Sequence, residues 1–180
     1  MQKNSVSDQN QKNPMQEIMI DKVIINIGTG NSEDAQANAK SLLEIITGKK
    51  PTDSLSKTRN PSFKISKGQK IGTFVTVRKK EAPLLLKRLF ESVNYIINPA
   101  SITPNSMSFG IKEYIDIPNV KYNPKIGMMG MHVNIAFKRK GQRVKIRKIK
   151  NNKISKRHGI ISKEEIENYL KKEFNVKTAE

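Results

Sequence analysis

Cysteine is absent from the 180 residues, which excludes disulfides, thiolate zinc sites and cysteine nucleophiles together. Tryptophan is absent too, and aromatic residues make up 6% of the chain, too few for a protein that works mainly by stacking splayed-out bases. No run approaches the ~20 apolar residues of a membrane-spanning helix. The N-terminus also lacks the basic-then-apolar order of a signal peptide, so a cytoplasmic protein is expected, with no membrane partner. Histidine is scarce: His132 and His158 stand 26 positions apart with no carboxylate within three residues of either. A zinc site needs three or four converging ligands, so a structural or surface role suits both better than a metal. Acids are few and scattered, with Asp21 in a strand, Glu33 and Asp34 at a helix start, and Glu113 and Asp116 in a loop. Neither paired carboxylates nor a nucleophile-elbow serine is present, so no enzyme and no cofactor are expected.

What the chain has instead is positive charge. Its 34 Lys and Arg exceed 16 Asp and Glu, a formal net charge of +18, in a length suited to one domain with tails. The stretch KTRNPSFKISKGQKIGTFVTVRKK carries Lys57, Arg59, Lys64, Lys67, Lys70, Arg78, Lys79 and Lys80, and no acid lies between Asp53 and Glu81. Such a segment repels itself unless a polyanion screens it, which makes nucleic acid the first partner to consider. An anionic membrane surface is the other partner that a basic surface admits. With so few aromatics, rigid and already folded RNA fits better than single strands. A second block, from Lys138 to Arg157, holds 11 Lys and Arg, with no acid before Glu164 and with Ile146, Ile149 and Ile154 too sparse for a core. It reads either as a solvated linker or as a basic arm laid on nucleic acid through residues such as Arg139, Arg143, Lys145, Arg147 and Lys148.

Residues 1 to 16, with three apolar residues, cannot offset their ordering entropy and read as a disordered tail. EIMIDKVIINIG reads as a strand with Val23, Ile25 and Ile27 on its core face. Gly28 and Gly30 turn the chain, and Ser32 caps a helix carrying Ala35, Ala39, Leu42, Leu43 and Ile46 to a stop at Gly48. KKPTDSLSKT suits a short edge strand, because Pro51 is tolerated only at a strand start or an edge. GTFVTVR alternates, and after Pro83 a second amphipathic helix (Leu85, Leu86, Leu89, Phe90, Val93, Ile97) is expected to end near Asn98 and Pro99. Residues 99 to 127 suggest brief strands, such as SMSFGI and EYIDI, between long loops. Met129 to Phe137 reads as a central strand with its methionines as core filler. Ser162 and Glu165 form a capping box for a terminal helix through Phe174. The domain reading is therefore a tail at 1 to 16, an α+β RNA-binding domain at 17 to 138, and a basic extension with a short helix at 139 to 180.

Two readings of the site compete. The strand, GTG turn and helix at 24 to 43 resemble the opening of a dinucleotide-binding unit, but the third glycine of that fingerprint falls at Glu33, where pyrophosphate would meet a carboxylate. Strand parity supports the other. If helices cover Val23, Ile25, Ile27, Thr73, Val75 and Val77, then Asn26, Thr76 and Arg78 emerge on the opposite face. There an amide, a hydroxyl and a guanidinium could bond phosphates, 2′-hydroxyls and base edges, or simply face solvent.

The blocks KVIINIGTG, LLEIITGKKP, KTRNPSFKISKGQKIGTFVTVR and SFGIKEYIDIPNVKYNPKIGMMGMHVNI resemble, in that order, the ribosomal protein L-five family of the large subunit in its archaeal form, over residues 14 to 176. The resemblance implies an α+β fold with an antiparallel sheet backed by helices. It implies binding of 5S rRNA in the central protuberance, next to 23S rRNA and other proteins of that region. By position, Asn26, Thr76 and Arg78 look like the 5S rRNA contacts. Lys49 stands where the family usually has Gln, and suits a phosphate. The loop bearing Lys57, Arg59, Lys64, Lys67 and Lys70 resembles the one that reaches P-site tRNA, and is expected to be mobile. Residues 110 to 130 resemble the side that bridges to the small-subunit head protein S-thirteen, and the segment beyond Arg139 resembles an rRNA-binding extension.

Overall fold

The computed structural model of the protein describes residues 13 to 178. The part of the expected tail at residues 1 to 12 lies outside that range. Residues 14 to 16 form a single 3-10 turn, capped by the Asn13 side chain, which accepts the Met15 N–H at 3.0 Å.

In chain order the elements are β1 (Ile18–Gly28), α1 (Glu33–Thr47), β2 (Thr52–Leu55), β3 (Lys70–Arg78), α2 (Glu81–Glu91), β4 (Ile96–Ile97), β5 (Ile102–Thr103), β6 (Ser106–Ile111) and β7 (Met131–Arg139). Two single-turn helices follow, α3 (Arg143–Ile146) and α4 (Lys156–Gly159), then α5 (Lys163–Phe174) and β8 (Lys177–Thr178). Six strands make one antiparallel sheet in the order β2-β3-β1-β7-β6-β5, with β1 and β7 at its centre and β2 at an edge. The α+β reading, with helices on one face, describes this architecture.

Hydrophobic pattern decides each element. Val23, Ile25 and Ile27 of β1, Val75 and Val77 of β3, and Val133, Ile135 and Phe137 of β7 are buried beneath the helices. In α1, Ala39, Leu42, Leu43 and Ile46 make the buried stripe, Ser32 accepts the Ala35 N–H, and Gly48 ends the helix at φ +65°, a conformation that costs glycine nothing. The terminal helix α5 has the full capping box between Ser162 and Glu165.

Three expectations change. First, α2 ends at Glu91 rather than near Asn98, because Asn94 (φ +54°) and Tyr95 (φ +58°) take left-handed backbone that no helix can contain. Ile97 keeps its apolar place by joining β4, which pairs in parallel with β8. Second, within EYIDI the residues Tyr114–Asp116 form a 3-10 turn instead of a strand. Tyr114 is fully buried there and its hydroxyl accepts the Asn123 N–H at 3.0 Å, which ties down the crossing from β6 to β7. Third, residues 139 to 180 are not one extension. Ile161, Ile166, Leu170, Phe174 and Val176 belong to the same hydrophobic core as the sheet, and Phe174 packs edge-on to Phe90 with ring centroids 5.3 Å apart. Only the stretch between β7 and Ile161 stands outside the core. Met131 is core filler as expected and Met129 packs partly buried against the core, whereas Met128 is exposed.

Gly72 marks the tightest strand contact. It faces Gly28 across the β1–β3 pair, and a Cβ there would lie 2.6 Å from the Ile27 carbonyl oxygen. Gly72→Ala should therefore lower stability by about 1–3 kcal/mol, the range for overpacking, seen as an earlier denaturation midpoint. Gly28→Ala, whose added carbon meets nothing within 4 Å, is the matched control and should cost less.

Candidate nucleic-acid interface

The pairing registers lay out the helix-free face row by row. One row runs Thr52, Phe74, Asn26, His132, Gly110 across five strands, the next Thr76, Ile24, Asn134, Ser108, and the third Arg78, Lys22, Ala136, Ser106 and Thr103. Asn26 and Thr76 are cross-strand diagonal neighbours, a spacing of about 7–8 Å. Apart from Phe74 and Ile24 the face is made of small or polar side chains, and its cations, Lys22 and Arg78, gather at one end. That end holds a depression of about 590 Å³ lined by Lys49, Thr76, Arg78, Lys79, Lys80 and Glu81. Three of the four residues expected at the 5S rRNA site thus border one surface, and Asn26 stands one row away. Lys49 is ion-paired to Glu81, and Arg78 lies 3.8 Å from Asp21, which also holds Lys138 at 2.7 Å.

The basic loop between β2 and β3 is a shaped hairpin. Ser56 exchanges backbone bonds with Gln69 and Gly68 (2.8 and 2.9 Å), and Asn60 and Ile65 form an antiparallel bridge with both bonds near 3.0 Å. The Gln69 side chain donates to Asn31 and accepts the Ser66 N–H, fastening the loop's base to the β1–α1 turn. Lys57, Arg59, Lys64 and Lys67 are exposed along it. Lys70 differs from them. It opens β3 and bonds Asp53 at 3.2 Å, while Lys40 bonds the same carboxylate at 2.7 Å. The Lys40 ammonium, joined by Lys70, holds the Asp53 carboxyl below the usual aspartate range.

The second basic block is also closed at its base. The Asn105 side chain donates to the Gly159 carbonyl (3.2 Å) and accepts the Ile161 N–H (2.7 Å), Gln142 donates to the same Gly159 carbonyl, and a His158 ring nitrogen meets the Lys140 carbonyl at 2.9 Å. Between these staples Arg143, Lys145, Arg147 and Lys148 are exposed, and Ile146 and Ile149 stand 78% and 77% exposed. This is a pinned loop, not a slack linker.

Arg139 leaves the expected arm altogether. It is the last residue of β7, its side chain is 10% exposed, and one guanidinium nitrogen donates to both Glu165 carboxylate oxygens at 2.8 Å. Burial opposes ionisation of Glu165, yet the Ser162 backbone N–H and the Arg139 guanidinium outweigh it and hold the carboxyl below its usual range. The pair ties α5 to the sheet, which removes Arg139 from the surface.

The sheet ends separate the two basic loops. The β2–β3 hairpin leaves the end where β6 stops and β7 starts, and the 141 to 160 loop leaves the end that carries Arg78. Nine-residue strands set those ends about 27 Å apart. Among the described residues, no helix is long and apolar enough to cross a membrane, and no three His, Asp or Glu group as a metal site would require.

Comparison with known proteins decides the family. The model of ribosomal protein L5 matches residues 13 to 65, and the model of the same ribosomal family's C-terminus matches residues 70 to 174. The chain belongs to the ribosomal protein L5 family. Large ribosomal subunit protein uL5 of Methanobrevibacter smithii is 39% identical over 91% of this chain and 96% of its own length. The uL5 proteins of Nitrosopumilus maritimus (38% identical, 95% and 99% covered) and Picrophilus torridus (42%, 92% and 95%) are similar over the same extent. The uL5 family is structural and non-enzymatic, in keeping with scattered acids. The dinucleotide reading ends here: β2, the strand after α1, runs parallel to β1 but is separated from it by the antiparallel β3, so no adjacent parallel pair forms as a dinucleotide-binding unit requires.

Sequence reasoning passed over the right half of the open face, His132, Asn134 and Ser108, because parity was applied to β1 and β3 alone. The alternation Met131 to Phe137 already held that signal. It also passed over Phe63, whose place at a hairpin tip follows from the Asn60–Ile65 bridge.

The Arg139 pair makes a measurable claim. Arg139→Ala should destabilise the fold by about 1–2 kcal/mol, a charge-assisted bond discounted for the half-exposed Glu165. Because the folded Glu165 carboxyl is more acidic than the unfolded one, its contribution is complete above about pH 4.5 and fades as pH falls through the folded value. The protection factors of α5 amides, taken against the intrinsic exchange rate at each pH, should therefore fall on acidification in the parent protein, and less so in Arg139→Ala, where the Ser162 N–H bond to Glu165 remains.

Proposed function

We propose that the protein holds 5S rRNA on the open face of its sheet as a structural constituent of the large ribosomal subunit in the cytoplasm. Family membership supports the ribosomal role, and one observation carries the finer reading: Thr76, Arg78 and Lys49 line a single surface, with Asn26 diagonal to Thr76. These groups are donors and acceptors fixed on paired strands, so they lose little freedom on binding and discriminate by geometry. Arg78 and Lys49 meet phosphates, and Asn26 and Thr76 suit sugar hydroxyls or base edges. Glu81, exposed, and Asp21, half-buried and 3.8 Å from Arg78, now engage Lys49 and Arg78 as weak partners that a phosphate can replace.

In this reading the hairpin cations Lys57, Arg59, Lys64 and Lys67 meet P-site tRNA, and the turns between β6 and β7 face protein S-thirteen of the small-subunit head. Arg143, Lys145, Arg147 and Lys148, at the other end of the sheet, lie on rRNA, with 23S rRNA and neighbouring central-protuberance proteins within reach. The separation of the sheet ends supports this division, because one compact RNA surface could not occupy both.

Arg78→Ala should weaken 5S rRNA binding by about 1.5–3 kcal/mol, the scale of a hydrogen bond to a charged group, with the fold intact by circular dichroism. Replacing Lys64 and Lys67 by Ala should leave that affinity nearly unchanged. A filter-binding titration of both variants checks the pair of outcomes, and an unaltered dissociation constant for Arg78→Ala would remove the sheet from the 5S site. Co-sedimentation with large subunits through a high-salt wash checks the ribosomal role.

A further inference from the structure

The cations of the hairpin explain attraction to RNA but not its apolar tip. Phe63 is 72% exposed, the third residue of a turn that the Lys64 N–H closes onto the Pro61 carbonyl at 3.0 Å. Of the six phenylalanines, Phe90, Phe137 and Phe174 are buried and Phe74 and Phe109 are half-buried, so Phe63 is the exception. Its turn is well fixed, because the Asn60–Ile65 bridge lies beneath it and the Ser62 N–H bonds the Asn60 side chain at 3.1 Å. Two side-chain torsions on a shaped turn leave little entropy to lose on binding. The neighbours decide the occupant. Lys57, Arg59, Lys64 and Lys67 surround the tip in sequence, all exposed, and no acid occurs from residue 54 to residue 80. An apolar protein surface seated on Phe63 would have to desolvate those cations, whereas a nucleotide offers a flat apolar base and a phosphate together.

We propose that Phe63 is a stacking platform for one unstacked nucleobase of the RNA that meets the hairpin, with Arg59, Lys64 and Lys67 on the flanking phosphates. This deepens the reading that the hairpin touches tRNA and rests on it. The ligand is RNA with an exposed base face, as at a loop or a sharp bend. A regular A-form duplex, whose bases are stacked on each other, is excluded as a ligand of the tip.

The test uses the full-length protein with two probes, a folded tRNA and a blunt, fully paired RNA duplex of similar length, each titrated at several salt concentrations. Phe63→Ala should weaken tRNA binding about 5- to 150-fold, the range for one stacked base, without changing the salt slope. Phe63→Trp should keep the affinity, duplex binding should not respond to either, and 5S rRNA binding should be intact in both. Lys64→Ala should instead reduce affinity and salt slope together, because it removes a phosphate contact. If Phe63→Ala binds tRNA normally while Lys64→Ala is weakened, the hairpin meets RNA but the stacking proposal is overturned. If neither substitution affects tRNA, the hairpin reading fails as well. Equal losses on tRNA and duplex would also overturn it, as would a photocrosslinker placed at residue 63 that labels protein instead of RNA in assembled ribosomes.

Discussion

β1 is paired along both of its edges, and the geometry of every other surface follows from that pairing. Antiparallel registers with β3 and β7 put Val23, Ile25 and Ile27 at 0–2% exposure. The strand's period of two then forces Lys22, Ile24 and Asn26 outward, and each pair across the ladder carries that choice onward to Thr76, Arg78, Asn134 and Ser108. A slip of one residue would turn the polar set inward and the core outward. The bulge between Ile20 and Lys22 is what lets the strand exceed this rule. One extra residue at Asp21 resets the parity, so Ile18 and Ile20 still pack on the core while the Asp21 carboxylate reaches both Arg78 and Lys138.

Charge is distributed by the same scaffold. A chain with a net charge of +18 could have spread it evenly, yet the middle of the open face carries no Lys or Arg: the face's own cations, Lys22 and Arg78, sit at one end, and the basic hairpin projects from the other. Neutral, small side chains permit close approach where hydrogen bonds are to be made, and the flanking cations supply attraction that acts over a Debye length of about 8–10 Å. Attraction and recognition are thereby assigned to different parts of one surface.

Much of this was legible in the amino-acid sequence. Alternation in 23 to 27 and 73 to 78 was sufficient to place Asn26, Thr76 and Arg78 together, since parity is a local property. Ser32, Gly48 and the capping box at Ser162 were legible because caps act within four residues. What local pattern could not show was long-range pairing. Arg139 read as one cation among eleven, and only Glu165, 26 residues away, turns it inward. Ile97 read as the last turn of a helix because its spacing fits one, and its true partner in β8 is remote in sequence. The loop at 141 to 160 read as either a solvated linker or a basic arm, and its closed base was not legible because its staple, Asn105, belongs to a different hairpin turn.

The β4–β8 pair joins residue 96 to residue 177, and α5 closes the core over Phe90. During synthesis the sheet can assemble once β7 has emerged, but its helix side remains uncovered near Phe90 and Phe109 until residues 161 to 176 arrive. Completion of the core is therefore a late, non-local event. Chains truncated before Ile161 would present an apolar surface to the quality-control machinery, and they would also lack the anchor that shapes the second basic loop. A single docking step thus certifies the hydrophobic core and one RNA-facing loop at the same moment.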